Sequence, residues 1–305
     1  MFQIKRQKKE GKDLIIVTNK IGSIKAEISL DKGGSISNLF IKNKQIITDL
    51  APLDYEKTYA SSIMFPFANR INNGKYTFMG GEFQLHCNEK ESNNALHGLI
   101  YNKKFDLIKT LINQEFAEII LSFKVINAHK GFPYSFDLKL SYIIYDNSLK
   151  ISLNILNIGE VKFPFTVGWH PYFSIKNFDK TELIFDSTQK IECDNRNITT
   201  KVLKFKSSNP WVIKNQKIDD AFLIKNNKVV LKTGNYIAKI ISSIDNNYLQ
   251  IYTPKNHKAI AVEPMTGVSD SFNNGIGLRQ LDKNEKYKVD WLLDVVALKK
   301  ENQLL

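Results

Sequence analysis

Two candidate acid–base residues lie in unusually apolar stretches of the chain. Glu263 follows the run Ala259-Ile260-Ala261-Val262, which predicts a buried strand carrying a carboxylate at its tip. His170 lies among aromatic residues in Trp169-His170-Pro171-Tyr172-Phe173. Both residues precede a proline, which favours extended backbone. An imidazole and a carboxylate together can remove one proton and supply another, so the pair indicates general acid–base chemistry.

Two further segments supply candidate binding groups. Arg70 belongs to an Asn-Arg pair with apolar residues on both sides, and the planar guanidinium there predicts a fixed hydrogen-bond donor. His97 lies in a predicted loop, Asn93–Gly98, and the aromatic neighbours of His170 would suit the apolar face of a sugar ring. Each group also has a structural alternative: a surface arginine beside a turn, core histidines bonded to carbonyls, and a glutamate that ends a strand.

Other kinds of catalytic chemistry lack their signatures. There is no Gly-x-Ser-x-Gly, and neither Cys87 nor Cys193 lies in a recognisable nucleophile motif. The five histidines do not have metalloprotease spacing. Gly275–Gln280 fails the dinucleotide fingerprint at its last position, and no Walker motif occurs. We therefore expect no metal and no redox or nucleotide cofactor.

Short strands must position these groups. Tyr134, Phe136, Leu138, Leu140 and Tyr142 alternate with polar residues, and a second alternating run follows the turn residues Asp146-Asn147-Ser148, which predicts a β-hairpin. Similar β-rich runs occur at Asp13–Thr18, Lys25–Leu30, Glu118–Ile126, Glu182–Phe185, Lys228–Lys232, Tyr236–Ser242, Tyr248–Tyr252 and Tyr287–Val296. No long amphipathic helix and no linker is recognisable. The sequence predicts one all-β domain over residues 1–305, a large antiparallel β-sandwich.

Composition and charge limit the class of protein further. A chain of 305 residues can bury about three quarters of its surface, which is enough for a large core. No apolar run is long enough for a membrane-spanning helix, the charged N-terminus does not resemble a secretory signal, and two cysteines cannot form a disulfide framework, so we expect a cytoplasmic protein. The net charge of +12 comes from 39 lysines and only 4 arginines. Because the lysines are scattered, we expect neither a nucleic-acid nor a membrane partner, whereas an affinity for anionic sugars stays open.

Five short motifs, taken in order, resemble the aldose 1-epimerase (galactose mutarotase) family. They are Asn-Arg-Ile-x-x-Gly-x-Tyr, Leu-His-Gly, His-Pro-Tyr-Phe, Asp-x-Ala-Phe and Glu-Pro, at Asn69–Tyr76, Leu96–Gly98, His170–Phe173, Asp219–Phe222 and Glu263–Pro264. Each motif is modest by itself, and their shared order carries the resemblance. It implies a galactose mutarotase-like β-supersandwich with an open sugar-binding cleft.

The resemblance also implies a role for each residue. Glu263 corresponds to the general base that takes the proton of the anomeric hydroxyl, and His170 to the general acid that protonates the ring oxygen. His97 corresponds to a second histidine on the ring-oxygen side that could share the acid role. Three residues would bind sugar hydroxyls: Asn69, Arg70 and Asp219. We expect Glu263 and His170 on opposite sides of one hemiacetal, with the carboxylate stabilising an imidazolium.

The leading hypothesis is a cofactor-independent isomerase, a mutarotase acting on a free monosaccharide of the galactose or glucose type. A mutarotase for hexose 6-phosphates is the second hypothesis and would need a cationic pocket. A non-catalytic carbohydrate-binding protein on the same fold is the third, and the presence of both His170 and Glu263 argues against it. We expect a monomer or a homodimer.

Overall fold

The computed structural model describes residues 1–9, 11–126, 129–244 and 247–298. Within these ranges the chain is built almost entirely from short strands, with two one-turn helices, α1 (Tyr55–Thr58) and α2 (Ser271–Asn274). The first half contains β1 (Phe2–Lys9), β2 (Lys12–Asn19), β3 (Ile24–Ser29), β4 (Ser35–Ile41), β5 (Lys44–Ile47), β6 (Ile63–Met64), β7 (Arg70–Ile71), β8 (Lys75–Phe78), β9 (Gly81–Gln84), β10 (Ala95–Leu96), β11 (Asp106–Ile112), β12 (Phe116–Val125), β13 (Phe136–Tyr145) and β14 (Ser148–Asn157). The second half contains β15 (Phe163–Phe165), β16 (Gly168–Trp169), β17 (Tyr172–Ser174), β18 (Glu182–Ile184), β19 (Ser187–Cys193), β20 (Thr199–Lys204), β21 (Trp211–Val212), β22 (Asp219–Ile224), β23 (Lys228–Lys232), β24 (Tyr236–Ser242), β25 (Tyr248–Tyr252), β26 (Ala259–Met265), β27 (Arg279–Leu281) and β28 (Lys286–Ala297). Two 3₁₀ turns complete the description, at Asn72–Gly74 and Phe178–Lys180.

Two large antiparallel sheets form the body of the described chain. The larger sheet has thirteen strands in the order β1-β2-β3-β4-β5-β17-β26-β25-β22-β19-β20, with β16 also paired to β26 and to β6. The smaller sheet has nine strands in the order β11-β12-β13-β14-β28-β24-β23-β18-β21. The prediction of an all-β protein dominated by antiparallel sheets is confirmed.

The two sheets pack face to face. One cluster of buried apolar residues contains Ile15 and Val17 of the larger sheet together with Leu138 and Leu140 of the smaller one. Trp169 and Trp291, one from each sheet, lie with ring centroids 6.4 Å apart. Because burying one large apolar side chain contributes about 1.5–3 kcal/mol, this shared cluster holds the sheets together without disulfides.

The predicted hairpin is present between β13 and β14. Leu138 lies opposite Ile155 and Leu140 opposite Leu153, and all four side chains are buried. The turn falls at Asp146-Asn147, where the sequence places turn residues. The eight other runs predicted as strands also form strands, so the predicted runs include most of the smaller sheet and β2, β3 and β25 of the larger one.

The N-terminal segment and the strand of Glu263 differ in detail from the expectation. The charged segment Phe2–Lys9 forms β1, an edge strand paired with β2, and it lacked an apolar signal because edge strands keep much of their surface in water. Glu263 lies inside β26 rather than at its tip, since the strand continues through Pro264 to Met265. No helix in the described ranges is long and apolar enough to cross a membrane.

Candidate active site

The predicted acid and base meet at the centre of the larger sheet. Glu263 lies on β26, which pairs with β25 on one side and with β16 and β17 on the other. His170 lies in the short connection between β16 and β17. Because both of those strands pair with β26, the connection is held beside it, and His170 Nε2 lies 3.4 Å from Glu263 Oε1.

The backbone of His170 is fixed on both sides of its side chain. Its N–H donates to the carbonyl of Ser62 at 3.1 Å, and its carbonyl accepts from the N–H of Ser61 at 2.7 Å. The ring of Tyr172 lies 4.9 Å from the imidazole, centroid to centroid. These contacts fix the backbone of His170 beside β26 and pack its imidazole against Tyr172.

Both facing side chains are removed from water. The exposed fraction is 6% for the His170 side chain and 2% for that of Glu263. Among the described residues, neither His170 Nδ1 nor Glu263 Oε2 has a hydrogen-bond partner. Buried polar atoms are nearly always paired in folded proteins, so these two facing groups each keep one polar atom that a bound ligand can pair with.

Burial shifts both groups toward their neutral forms. It raises the pKa of Glu263 well above the ordinary value, with the negative charge of Asp219 raising it further and Arg70 opposing the change. Burial lowers the pKa of His170 to about 3; the contact of the imidazole with its own backbone opposes this change, and the positive charge of Arg70 adds to it. The expected carboxylate–imidazolium pair is therefore not the favoured form of the free site, because desolvation outweighs the attraction between the two charges.

His97 contacts His170. The two imidazole rings are 5.0 Å apart, centroid to centroid, and nearly perpendicular, and the ring of Tyr59 lies 4.9 Å from that of His97. Burial, His170 and Arg70 all lower the pKa of His97. The turn that carries His97 continues into Gly98, where a Cβ would lie 2.3 Å from the carbonyl oxygen of Phe65, so only glycine fits.

A chain of hydrogen bonds joins the three predicted hydroxyl-binding residues. Arg70 Nη1 donates to Asn69 Oδ1 at 3.1 Å, and Asn69 Nδ2 donates to Gln250 Oε1 at 3.2 Å. Gln250 Nε2 then donates to Asp219 Oδ1 at 2.7 Å. Gln250 is directly opposite Glu263 across β25 and β26. The structure thus brings all six sequence-predicted site residues to one face of the larger sheet.

Arg70 is bound by a carboxylate that sequence reasoning missed. Its Nε and Nη2 donate to Glu89 at distances of 2.7–3.1 Å, and both side chains are mostly buried. Glu89 comes from a polar loop with no periodic pattern, so no sequence signal singled it out. Gln250 was also missed, although a polar residue between the apolar Leu249 and Ile251 of a predicted strand is a signal that could have found it.

The geometry corrects one expectation about the pair. Two groups 3.4 Å apart cannot hold a sugar between them, so they do not lie on opposite sides of a hemiacetal. The two oxygens on an anomeric carbon are themselves close neighbours, and one edge of a sugar can present both to adjacent groups. Within the described residues, no group of three or more His, Cys, Asp or Glu side chains could hold a metal ion. Because His170 and Glu263 are close neighbours, as those two oxygens are, the pair can exchange protons with both oxygens of one anomeric carbon.

Comparison with known proteins agrees with the fold and the motifs. The family model for aldose 1-epimerase matches residues 13–293. The uncharacterized protein YihR of Escherichia coli K12 is 23% identical over 269 residues, which cover 84% of this chain and 86% of that protein.

Solved structures show the same fold. A galactose mutarotase-like protein from Clostridium acetobutylicum superposes with a TM-score of 0.86 at 22% identity, covering 97% of this chain and 99% of that one. A galactose 1-epimerase from Lactobacillus acidophilus superposes with a TM-score of 0.77 at 16% identity, covering 98% and 99%. The fold is that of a galactose mutarotase-like β-sandwich, and His170 and Glu263 lie buried side by side in it. The family match spans most of the chain, and the protein belongs to the aldose 1-epimerase family.

Proposed function

We propose that this protein is a mutarotase that interconverts the α and β anomers of a free aldohexose of the galactose or glucose type. The observation that carries the proposal is the buried contact between His170 and Glu263, with unpaired polar atoms on both groups. The neighbouring chain of Asn69, Gln250 and Asp219 supplies amide and carboxylate groups of the kind that bind sugar hydroxyls. We further propose that residues 1–305 act as one domain, since one apolar cluster joins the two sheets.

The proposed reaction transfers two protons, one from the anomeric hydroxyl and one to the ring oxygen, and both oxygens are bonded to C1. Glu263 takes the proton of the anomeric hydroxyl, and the electrons of that O–H bond form the carbonyl. The bond between C1 and the ring oxygen breaks, its electron pair stays on the ring oxygen, and His170 protonates that oxygen. Rotation about C1–C2 and reversal of both transfers give the other anomer, so the protein ends in the protonation state in which it began.

The protonation state of the free pair is compatible with these roles. A carboxylic acid beside a neutral imidazole carries the same number of protons as a carboxylate beside an imidazolium. A proton transfer between Glu263 Oε1 and His170 Nε2, which are 3.4 Å apart, converts one form into the other. The sugar then reacts with the second form, in which Glu263 is the base and His170 is the acid.

Activity is the direct test. Exchange spectroscopy by NMR on equilibrated glucose and galactose should show anomer exchange well above the rate measured in buffer without protein. Each acid or base group is expected to contribute about 10²–10⁴-fold. Sugar binding without faster exchange for either hexose would contradict the proposal and favour the carbohydrate-binding alternative.

The pH dependence follows from the shifted pKa values. The working pair holds one shared proton, so activity should fall at low pH only as His170 takes up a second proton, at a pKa of about 3. Activity should also fall at high pH, when the pair loses its shared proton. Because the pKa of Glu263 is raised, this loss should occur at a pH well above the ordinary range of a carboxyl group. We expect kcat/KM to be flat through pH 6–7. An inflection near 6.5, the usual imidazole value, would show that His170 is not desolvated as described.

The cytoplasmic location and the monomeric or homodimeric state stay predictions of the sequence.

A further inference from the structure

A cavity lined by residues 176–179, 215–217 and 252–258 opens beside the candidate active site. Its volume is about 810 Å³, and Tyr252 forms part of its wall. Besides Tyr252, the titratable residues that line it are four lysines, one histidine and one aspartate: Lys176, Lys217, Lys255, Lys258, His257 and Asp179. We call it the lysine cavity.

Strand register places the lysine cavity directly beyond the predicted hydroxyl-binding groups. Tyr252 is opposite Asp219 on one side and Ala261 on the other, and Ala261 is also opposite Tyr172. The rings of Tyr172 and Tyr252 lie 6.4 Å apart, and Tyr172 lies 4.9 Å from His170. Two ring contacts therefore connect the candidate acid with the wall of the cavity.

The separation suits one sugar ring. Ala261, Tyr252 and Asp219 lie side by side in one row across three strands. Glu263 lies two residues from this row along β26, and Lys217 lies two residues from it in the opposite direction, just before β22. At about 3.3 Å per residue along the strands and about 4.8 Å between neighbouring strands, Glu263 and Lys217 are about 16 Å apart. The side chains of both residues cover part of that distance, and a hexose that carries an anionic group can span the rest.

The charge of the lysine cavity is poorly compensated. Among the described residues, none of its four lysines forms an ion pair, whereas Lys190 on the neighbouring β19 pairs with Asp220 at 2.7 Å. Asp179 is the single carboxylate in the lining. A concave surface with one dominant sign of charge attracts ions of the opposite sign, and lysine is a common ligand of phosphate.

We propose that the lysine cavity is a subsite for an anionic group, a phosphate or a carboxylate, carried by the sugar at the end remote from its anomeric carbon. The proposal rests on the proposed mutarotase function and extends its substrates from free aldohexoses to hexoses that carry such an anion. The subsite binds the anion without taking part in proton transfer. It therefore lowers KM and leaves the chemistry at C1 to Glu263 and His170.

The test compares neutral and acidic hexoses on the intact protein. Anomer exchange is measured by NMR for glucose, glucose 6-phosphate and glucuronate, each corrected for exchange without protein. We expect a higher kcat/KM for at least one acidic sugar than for glucose, and the comparison of the 6-phosphate with the uronate distinguishes the two sources of negative charge. The double variant Lys217→Gln/Lys258→Gln should raise KM for the preferred acidic sugar about tenfold and leave kcat/KM for glucose unchanged.

A matched control removes the same charge elsewhere. Lys109 and Lys139 are exposed on β11 and β13 of the smaller sheet. Lys109→Gln/Lys139→Gln should leave every KM unchanged. Two results would overturn the subsite alone. One is anomer exchange of glucose with a kcat/KM at least as high as for either acidic sugar, and the other is the same KM for the acidic sugar in both double variants. No exchange of any of the three sugars would overturn the mutarotase function, and the subsite with it.

Discussion

Replacing Glu263 by glutamine should slow anomer exchange by at least about a hundredfold and leave sugar binding largely intact. The amide keeps the size of the carboxyl but cannot accept the proton of the anomeric hydroxyl. Because Glu263 is buried and its raised pKa favours the neutral form, the neutral amide should not lower the melting temperature. Exchange rates by NMR, with sugar binding by calorimetry, measure both effects.

A matched control for this variant is Asp220→Asn. Asp220 is also a carboxylate of the larger sheet, but it pairs with Lys190 and follows Asp219 on β22, so it points away from the site. We expect this variant to keep the exchange rate of the parent protein. Unchanged exchange in Glu263→Gln would remove Glu263 from the mechanism, and an equal loss in both variants would indicate a general effect of lost negative charge.

His170→Gln should also lose about a hundredfold or more in kcat, with a smaller change in KM. The glutamine amide can donate a hydrogen bond but cannot deliver a proton to the ring oxygen. His170 is the imidazole that contacts Glu263, so its loss also breaks the exchange of the shared proton. Single-turnover or equilibrium exchange rates at saturating sugar separate this loss from weaker binding.

His97→Gln distinguishes the two histidines. His97 touches the ring of His170, and no ion-pair contact with Glu263 is found for it among the described residues. We expect a higher KM and a modest change in kcat, as for a residue that binds the sugar beside the ring oxygen. A large loss of kcat in His97→Gln, with kcat retained in His170→Gln, would assign the acid to His97 instead.

The sequence predicted much of the fold because its physical signal is local. Alternating residues such as those of Tyr134–Tyr142 mark strands wherever one face packs on a core, and the structure has a strand at each predicted run. The N-terminal strand β1 was not predicted because an edge strand buries too little surface to need alternation. The candidate acid and base were also visible in the sequence, since Glu263 and His170 are titratable groups in apolar runs.

The sequence by itself determined which residues are candidates for proton transfer, and only the tertiary structure decided how they lie relative to one another. The 3.4 Å contact between His170 and Glu263 requires β16, β17 and β26 to pair, and these strands are far apart in the chain. The neutral preference of the pair depends on how much protein surrounds it, a property that no local pattern encodes. Gln250 and the lysine cavity likewise acquire their places from strand register. Burial and electrostatic interactions depend on distances in space, and such distances exist only once distant segments have packed together.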